Sequence, residues 1–363
     1  MDICIACGAR PNFIKVAPII RAIEAAKKQG EQLDYTLVYA GNADDPTLEP
    51  TLFSDLGIAR PTVFLGASEE SLNLLASHAM GAFDSYLTEH PTDVVIVVDD
   101  LASTMAVTIT AKKRGIRVAH LVAGTRSFDI NMPKEINRLV IDGLSDYLFT
   151  AGAGSESNAS REGAEMSRTF MVGNILIDNL RYYHDRFAQP QCVETLGLSE
   201  GKYLVFTLNR KALLANETNL RAMLAALISA ADGTPIVAPL RQQTRTVVEP
   251  LLTDEQRKHF LLTEPLDYLH FGWLTAHALG VVTDSGNVAE EATFNGVPCI
   301  TLNSYTEHIE TVLNGTNELV GEDPEKLADC VKKMVAGEWK NGTLPDRWDG
   351  RTAERIVHIL LGK

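Results

Sequence analysis

Two doubly wound α/β domains in tandem are what this chain predicts, and three observations lead there. Short apolar runs of strand length alternate with segments of helical length and spacing along the whole chain. A Pro- and Gln-bearing stretch, Phe187 to Cys192, divides the runs into two series. Thr283 to Leu302 reads as strand end, turn and helix, with a helical amino end suited to an anion. Such alternation implies parallel sheets covered on both faces. Facing strand ends are expected to make a cleft, the usual ligand position for such sheets.

In the first series the strands are expected at Ile3 to Cys7, Tyr35 to Tyr39, Val94 to Val98, Val118 to Leu121 and Tyr147 to Phe149. The second series is expected at Tyr203 to Thr207, Pro235 to Ala238, Phe260 to Leu262, Leu279 to Val282 and Pro298 to Leu302. The domains are placed at 1–180 and 181–345, with 346–363 as a C-terminal helix packing back across them. The loop after the first strand, Gly8 to Pro18, brings Arg10 and Lys15 to the carboxyl end of the first sheet. Two cations near a helix start suit a diphosphate, and they also suit a plain charged surface. Pro11 fits a first helical turn, and Pro18 predicts a kink or a restart. In the second domain Asp284, Ser285 and Gly286 supply N-cap chemistry and a close-approach glycine, followed by Glu290 and Glu291 in the first turns. A hydroxyl beside a glycine suits a phosphate, and a carboxylate one or two turns on suits a ribose diol.

With 363 residues, 45% hydrophobic and 22% charged, the chain has the composition of a globular protein with a substantial core. A net charge of −14 argues against general nucleic-acid binding. Cys4 and Cys7 form a CxxC by spacing, but both lie in the first apolar strand and no second Cys/His pair accompanies them, so buried thiols are expected rather than a metal or redox site. The chain opens on an acidic residue and no apolar run reaches about 18 residues, which predicts a cytoplasmic protein without a membrane partner. Asp99 and Asp100 are adjacent, so on a strand they point to opposite faces. No metal and no cofactor is expected.

Several blocks carry a family resemblance. GARPNFIKVAP resembles the GTRPE-x-IK-x-AP opening of the non-hydrolysing UDP-N-acetylglucosamine 2-epimerases, and His120 to Thr150 resembles their HVEAGLRS-x-MPEE-x-NR segment. VGNILID (Val172 to Asp178), EPLDYLHF (Glu264 to Phe271), TDSGNVAEEA (Thr283 to Ala292), TEHIETVLNGTNELVG (Thr306 to Gly321) and WDGRTAERI (Trp348 to Ile356) follow in family order. The resemblance implies a GT-B architecture and a homodimer. It implies UDP or a UDP-N-acetylhexosamine as the bound partner, and a role in supplying amino sugars for surface polysaccharides. In that family the enzyme removes the C2 proton while UDP leaves C1, then adds UDP back with C2 inverted.

By the same resemblance Arg10, Lys15, Arg210, Ser285 and Gly286 match positions that contact the nucleotide or its phosphates. Glu291 matches the carboxylate that holds the ribose, and Phe271 the backbone that meets uracil. His308 replaces the arginine of the family's TERPE. The proton-transfer set is largely lost. Asp100 is retained from GD-x-x-ST, although its preceding glycine is Asp99. The family's glutamate in HVEAG is Val122, the first glutamate of MPEE is Lys134, a histidine is Asn209, and TGQH has become AGNA, Ala40 to Ala43. Valine transfers no proton and asparagine shuttles none. Asp100, Glu135 and His120 remain as candidate catalytic residues. Equally, His120 reads as a satisfied strand-end histidine and Glu135 as a structural partner of Arg138. Three functions stay open: an isomerase with reassigned acid/base groups, a catalytically silent UDP-sugar binder or regulatory paralogue, and a UDP-sugar hydrolase or glycosyltransferase.

Overall fold

The computed structural model describes residues 1–363, with Pro50 described by its backbone alone. The chain divides into two units, one formed by Met1–Arg181 with Asp346–Lys363 and the other by Tyr182–Pro345. Each is a parallel sheet with helices on both faces.

The first unit holds β1 (Asp2–Cys7), β2 (Asp34–Tyr39), β3 (Val63–Phe64), β4 (Val94–Val98), β5 (Arg117–Leu121), β6 (Tyr147–Thr150) and β7 (Thr169–Met171), in the order β3-β2-β1-β4-β5-β6-β7. All neighbours are parallel, with Ile3 opposite Val94 and Ile5 opposite Ile96 at the centre. β4 is VVIVV with every residue fully buried, the continuous apolar run that a strand covered on both faces requires. Cys4 and Cys7 lie in the cores on opposite faces of this sheet, so they share no site, and burial pushes the Cys4 thiol up to about 12.

The second unit holds β8 (Leu204–Phe206), β9 (Ile236–Pro239), β10 (Phe260–Thr263), β11 (Gly280–Thr283), β12 (Cys299–Thr301) and β13 (Asn317–Leu319), ordered β10-β9-β8-β11-β12-β13 and parallel throughout. All ten predicted strands are present. β3, β7 and β13 are additional edge strands of two or three residues, too short to register as apolar runs.

In each sheet the strand order reverses once, between β1 and β4 and between β8 and β11. An open parallel sheet leaves a crevice at such a point, beyond the carboxyl ends of the two strands. The loops that follow these four strands carry most of the residues singled out in the sequence.

Six helices matter below: α1 (Arg10–Lys28), α2 (Ala102–Lys113), α3 (Pro133–Leu144), α4 (Ile175–Tyr183), α5 (Gly286–Asn295) and α6 (Thr352–Leu360). The restart expected at Pro18 does not occur, because α1 is one helix with Pro18 inside it. Proline has no N–H to give the carbonyl four residues back. That carbonyl, on Ile14, instead accepts the Asn179 side-chain amide at 2.5 Å, and Arg21 Nη2 donates to the Asn179 oxygen at 2.8 Å.

α6 belongs to the core of the first unit, where Ala353, Ile356, Val357 and Leu360 pack with Phe13, Val16 and Ile20. Its first N–H groups, on Thr352 and Ala353, donate to the Asp178 carboxylate at 3.0 and 2.8 Å. The buried Trp348 indole donates to the Ala151 carbonyl at 3.1 Å. VGNILID and WDGRTAERI are thus two halves of one joint.

Candidate functional site

At the reversal point of the first unit, Gly8 ends β1 against the start of α2. A Cβ on Gly8 would stand 2.2 Å from Ser103 Oγ and 2.9 Å from Leu101 Cδ1, so a side chain there would force both neighbours to shift. Asn12 folds back, and its Oδ1 accepts from Gly8 N–H at 2.8 Å and Ala9 N–H at 3.1 Å. The other end of that amide donates to Asp99 Oδ2 at 2.8 Å, and Lys15 Nζ donates to Asp99 Oδ1 at 2.5 Å. Asp99 has φ 59, in the left-handed region that side chains seldom enter. Arg10 stays 41% exposed, its guanidinium 3.9 Å from Glu49.

The next residue turns the other way. Asp100 is buried, and its Oδ2 accepts from Arg138 Nε at 2.8 Å and lies 2.6 Å from Nη2, while Lys134 Nζ lies 3.4 Å from Oδ1. Asn137 donates to the Asp100 carbonyl at 2.8 Å. The two carboxylates therefore diverge, one toward α1 and one toward α3.

Glu135, on the first turn of α3, is buried with both oxygens in use. Oε2 accepts from Ser127 N–H and Oγ, each at 2.9 Å, and from Arg138 Nη1 at 3.2 Å, and Oε1 accepts from Phe128 N–H at 3.1 Å. Burial works against ionisation, but these donors outweigh it and hold the carboxyl below the ordinary range. His120, on β5, is 1% exposed, with Nδ1 2.5 Å from Asp142 and Nε2 3.0 Å from the Asp99 carbonyl. Asp142 also meets Arg126 Nη2 at 2.7 Å and Gly124 N–H at 3.0 Å, and Arg126 continues to Glu162. Burial opposes the Asp142 charge, and His120, Arg126 and Gly124 together overcome it, keeping the carboxyl below its usual value. Val122 follows at φ 70, a rare conformation for a β-branched side chain. His120 thus has both ring nitrogens partnered at the strand end, and Glu135 pairs with Arg138.

The reversal point of the second unit is built differently. The Thr207 and Thr283 hydroxyls, at the ends of β8 and β11, share a buried hydrogen bond of 2.7 Å, and Ser285 N–H donates to Thr283 Oγ1 at 3.0 Å. Asp284 Oδ2 gathers the N–H groups of Asn209 at 2.8 Å and Arg210 at 2.5 Å. Arg210 reaches Asn303 Oδ1 at 3.0 Å and stands 3.9 Å from Glu322, and Asn303 donates to the Asp284 carbonyl at 3.1 Å. This brace fixes the loop after β8 to the start of α5.

Ser285 is the N-cap of α5 in extended conformation, φ −99 and ψ 123, and its hydroxyl makes no capping bond. The first-turn N–H groups of α5 are thus left without a side-chain cap. Gly286 is exposed, and a Cβ there would meet no atom within 4 Å. The glycine is not demanded by packing, and it opens onto clear space over a partly positive helix end. Glu291 is buried, and burial, with the charge of Glu290 beside it, pushes its carboxyl up to about 8. Glu290 lies 3.1 Å from His308 Nε2. Phe271 sits within a helix, its N–H donating to Asp267 and its carbonyl accepting from the Thr275 hydroxyl at 3.0 Å.

The structure brings Arg10, Lys15, Asp100, Glu135 and His120 to one reversal point and Arg210, Ser285 and Gly286 to the other. Sequence reasoning missed the Asp99–Lys15 pair, the Asp142–Arg126–Glu162 chain and the Asp284–Asn303 brace. Only the Asp99–Asp100 doublet at a strand end offered a signal.

Comparison with known proteins fits this picture. The family model for UDP-N-acetylglucosamine 2-epimerase matches residues 25–361. The UDP-N-acetylglucosamine 2-epimerase of Methanocaldococcus jannaschii is 32% identical over 371 residues, covering 99% of each chain. The UDP-2,3-diacetamido-2,3-dideoxy-D-glucuronate 2-epimerase of Pseudomonas aeruginosa is 30% identical over 339 residues, covering 92% of each. A crystal structure of the Methanocaldococcus jannaschii UDP-GlcNAc 2-epimerase in complex with UDP-GlcNAc and UDP superposes with TM-score 0.80 at 31% identity over 100% of both chains. The likeness spans both doubly wound units, and the fold is of the GT-B class.

Proposed function

Because the chain belongs to the UDP-N-acetylglucosamine 2-epimerase family, we propose that it binds a UDP-N-acetylhexosamine and has lost C2 proton transfer. Ser285, Gly286 and the first-turn N–H groups of α5 take phosphate, Glu291 takes the ribose, and Arg10, Arg210 and Phe271 are further contacts, while Lys15 is engaged by Asp99. The family reaction needs a base to take the C2 proton and an acid to return one on the other face. It also needs cations and helix ends to stabilise the departing diphosphate. One contrast carries the reading. The amino end of α5 is uncapped, whereas both oxygens of Glu135 and both nitrogens of His120 are already engaged by partners within the chain. Val122 and Asn209 add no titratable group.

A second reading has one observation in its favour. Lys134 is 58% exposed on its side chain and 3.4 Å from Asp100 Oδ1, a pairing able to exchange a proton with a sugar if both groups meet it. The family kinship also brings a cytoplasmic homodimer into the proposal, which sedimentation of the purified chain tests.

Incubation with UDP-N-acetylglucosamine in D2O, followed by NMR, separates the readings. Saturable binding with unchanged sugar is the expected result. Deuterium at C2 or a manno product establishes the isomerase in its place, and UDP release without exchange establishes a hydrolase. Absence of any UDP binding by folded protein defeats the proposal.

A further inference from the structure

We infer that Asp99 is a specificity-determining residue that withholds Lys15 from phosphate and lowers the chain's preference for a charged nucleotide over its neutral nucleoside. The inference rests on the UDP reading above. Asp99 spends one carboxylate oxygen on Lys15 at 2.5 Å and the other on Asn12 at 2.8 Å. The Lys15 and Asp99 side chains are only 17% and 18% exposed, so solvent screens the pair weakly. Around it the backbone is held in place, with His120 Nε2 3.0 Å from the Asp99 carbonyl and the Asp99 N–H reaching the Leu121 carbonyl at 3.4 Å.

These contacts keep Asp99 at φ 59, a left-handed region that glycine enters freely and that aspartate and asparagine enter more readily than most other side chains. A carboxylate held against Lys15 lies where an anion drawn to that cation would arrive. A diphosphate approaching Lys15 therefore meets a neutral pair and a like charge beside it. Arg10, 41% exposed and 3.9 Å from Glu49, is the cation that stays available on this loop.

The test is calorimetry of the full chain with UDP and with uridine at fixed ionic strength, on the wild type, Asp99→Asn, Lys15→Ala and the double variant. Asparagine tolerates the left-handed conformation and keeps hydrogen-bonding capacity without the charge. Asp99→Asn is expected to tighten UDP binding roughly tenfold, as freeing a charged donor implies, and to leave uridine binding unchanged. Lys15→Ala alone is expected to change UDP affinity little and to cancel the gain in the Asp99→Asn background. A purely structural Asp99 would shift UDP and uridine together. UDP affinity that is unchanged or weaker in Asp99→Asn overturns the inference and leaves UDP binding intact as a function. If that variant does not fold, Asp99→Gly gives the same readout. No UDP binding in any version removes the functional reading and this inference with it.

Discussion

The side-chain amide of Asn179 donates to the Ile14 carbonyl at 2.5 Å, the acceptor that Pro18 leaves bare inside α1. A side chain from α4 thus replaces a missing backbone donor, and α1 crosses its proline without a restart. The Asn179→Ala variant should lose about 1–3 kcal/mol of stability, because a part-buried carbonyl loses its side-chain donor and Arg21 loses its acceptor. In a Pro18→Ala background the helix can supply its own N–H, and the same substitution should cost markedly less. Denaturant unfolding of the four proteins measures the coupling, and equal losses in both backgrounds would refute it.

Glu291 predicts how stability varies with pH. Its carboxyl titrates near 4.5 when unfolded and is pushed up to about 8 by burial in the folded chain, so the folded state holds the proton longer. Its contribution is complete below about 4.5, falls as pH rises through about 8, and is constant beyond. Asp142 and Glu135, held below the ordinary range, act in the opposite sense, and their contribution is lost as pH falls through their folded values. Unfolding curves across this span should show the decline between about pH 4.5 and 8 flattened by Glu291→Gln, and an undiminished decline would remove Glu291 as its source.

At the start of α5, folding and binding should separate. Ser285→Ala removes no internal capping bond, so its stability cost should fall short of the roughly 1 kcal/mol usual at an N-cap. UDP affinity should weaken by about 1–3 kcal/mol. Gly286→Ala meets no atom within 4 Å and should raise stability by about 0.5–1 kcal/mol while it obstructs phosphate. Thermal unfolding and calorimetry on the same samples provide both numbers. Full UDP affinity in both variants would take this helix end out of the site.

Epimerisation should return only when several groups are restored together. Val122→Glu, Lys134→Glu and Asn209→His in one protein are expected to give measurable C2 exchange if the acid/base set is the sole defect. Val122 already holds φ 70, so glutamate there inherits the backbone as it stands. Continued silence from a folded, UDP-binding triple variant would mean that the sugar pocket itself has changed.

The central strands were legible in the sequence because a strand buried on both faces must be apolar throughout, as β4 is. β13, Asn-Glu-Leu at a sheet edge, gives no such run and escaped notice. Ser285 and Gly286 stood out because N-cap chemistry is local and leaves its mark within a few positions. The Lys15–Asp99 pair joins residues far apart in the chain through a left-handed turn, and neither the pairing nor the turn has a sequence signature for aspartate. The restart expected at Pro18 failed for the same reason, since the replacement donor lies on a distant helix. The burial that raises the Glu291 carboxyl depends on which face of α5 meets the sheet.

The joint of Asp178 with Thr352 and Ala353 bears on how the polypeptide matures. Ribosomal synthesis delivers residues 182–345 before α6 emerges, so the second unit has its whole sequence in hand while the first still waits for its closing piece. Until that piece docks, Phe13 and Ile20 face a gap in their packing, and the nascent first unit is the part a chaperone or protease would meet.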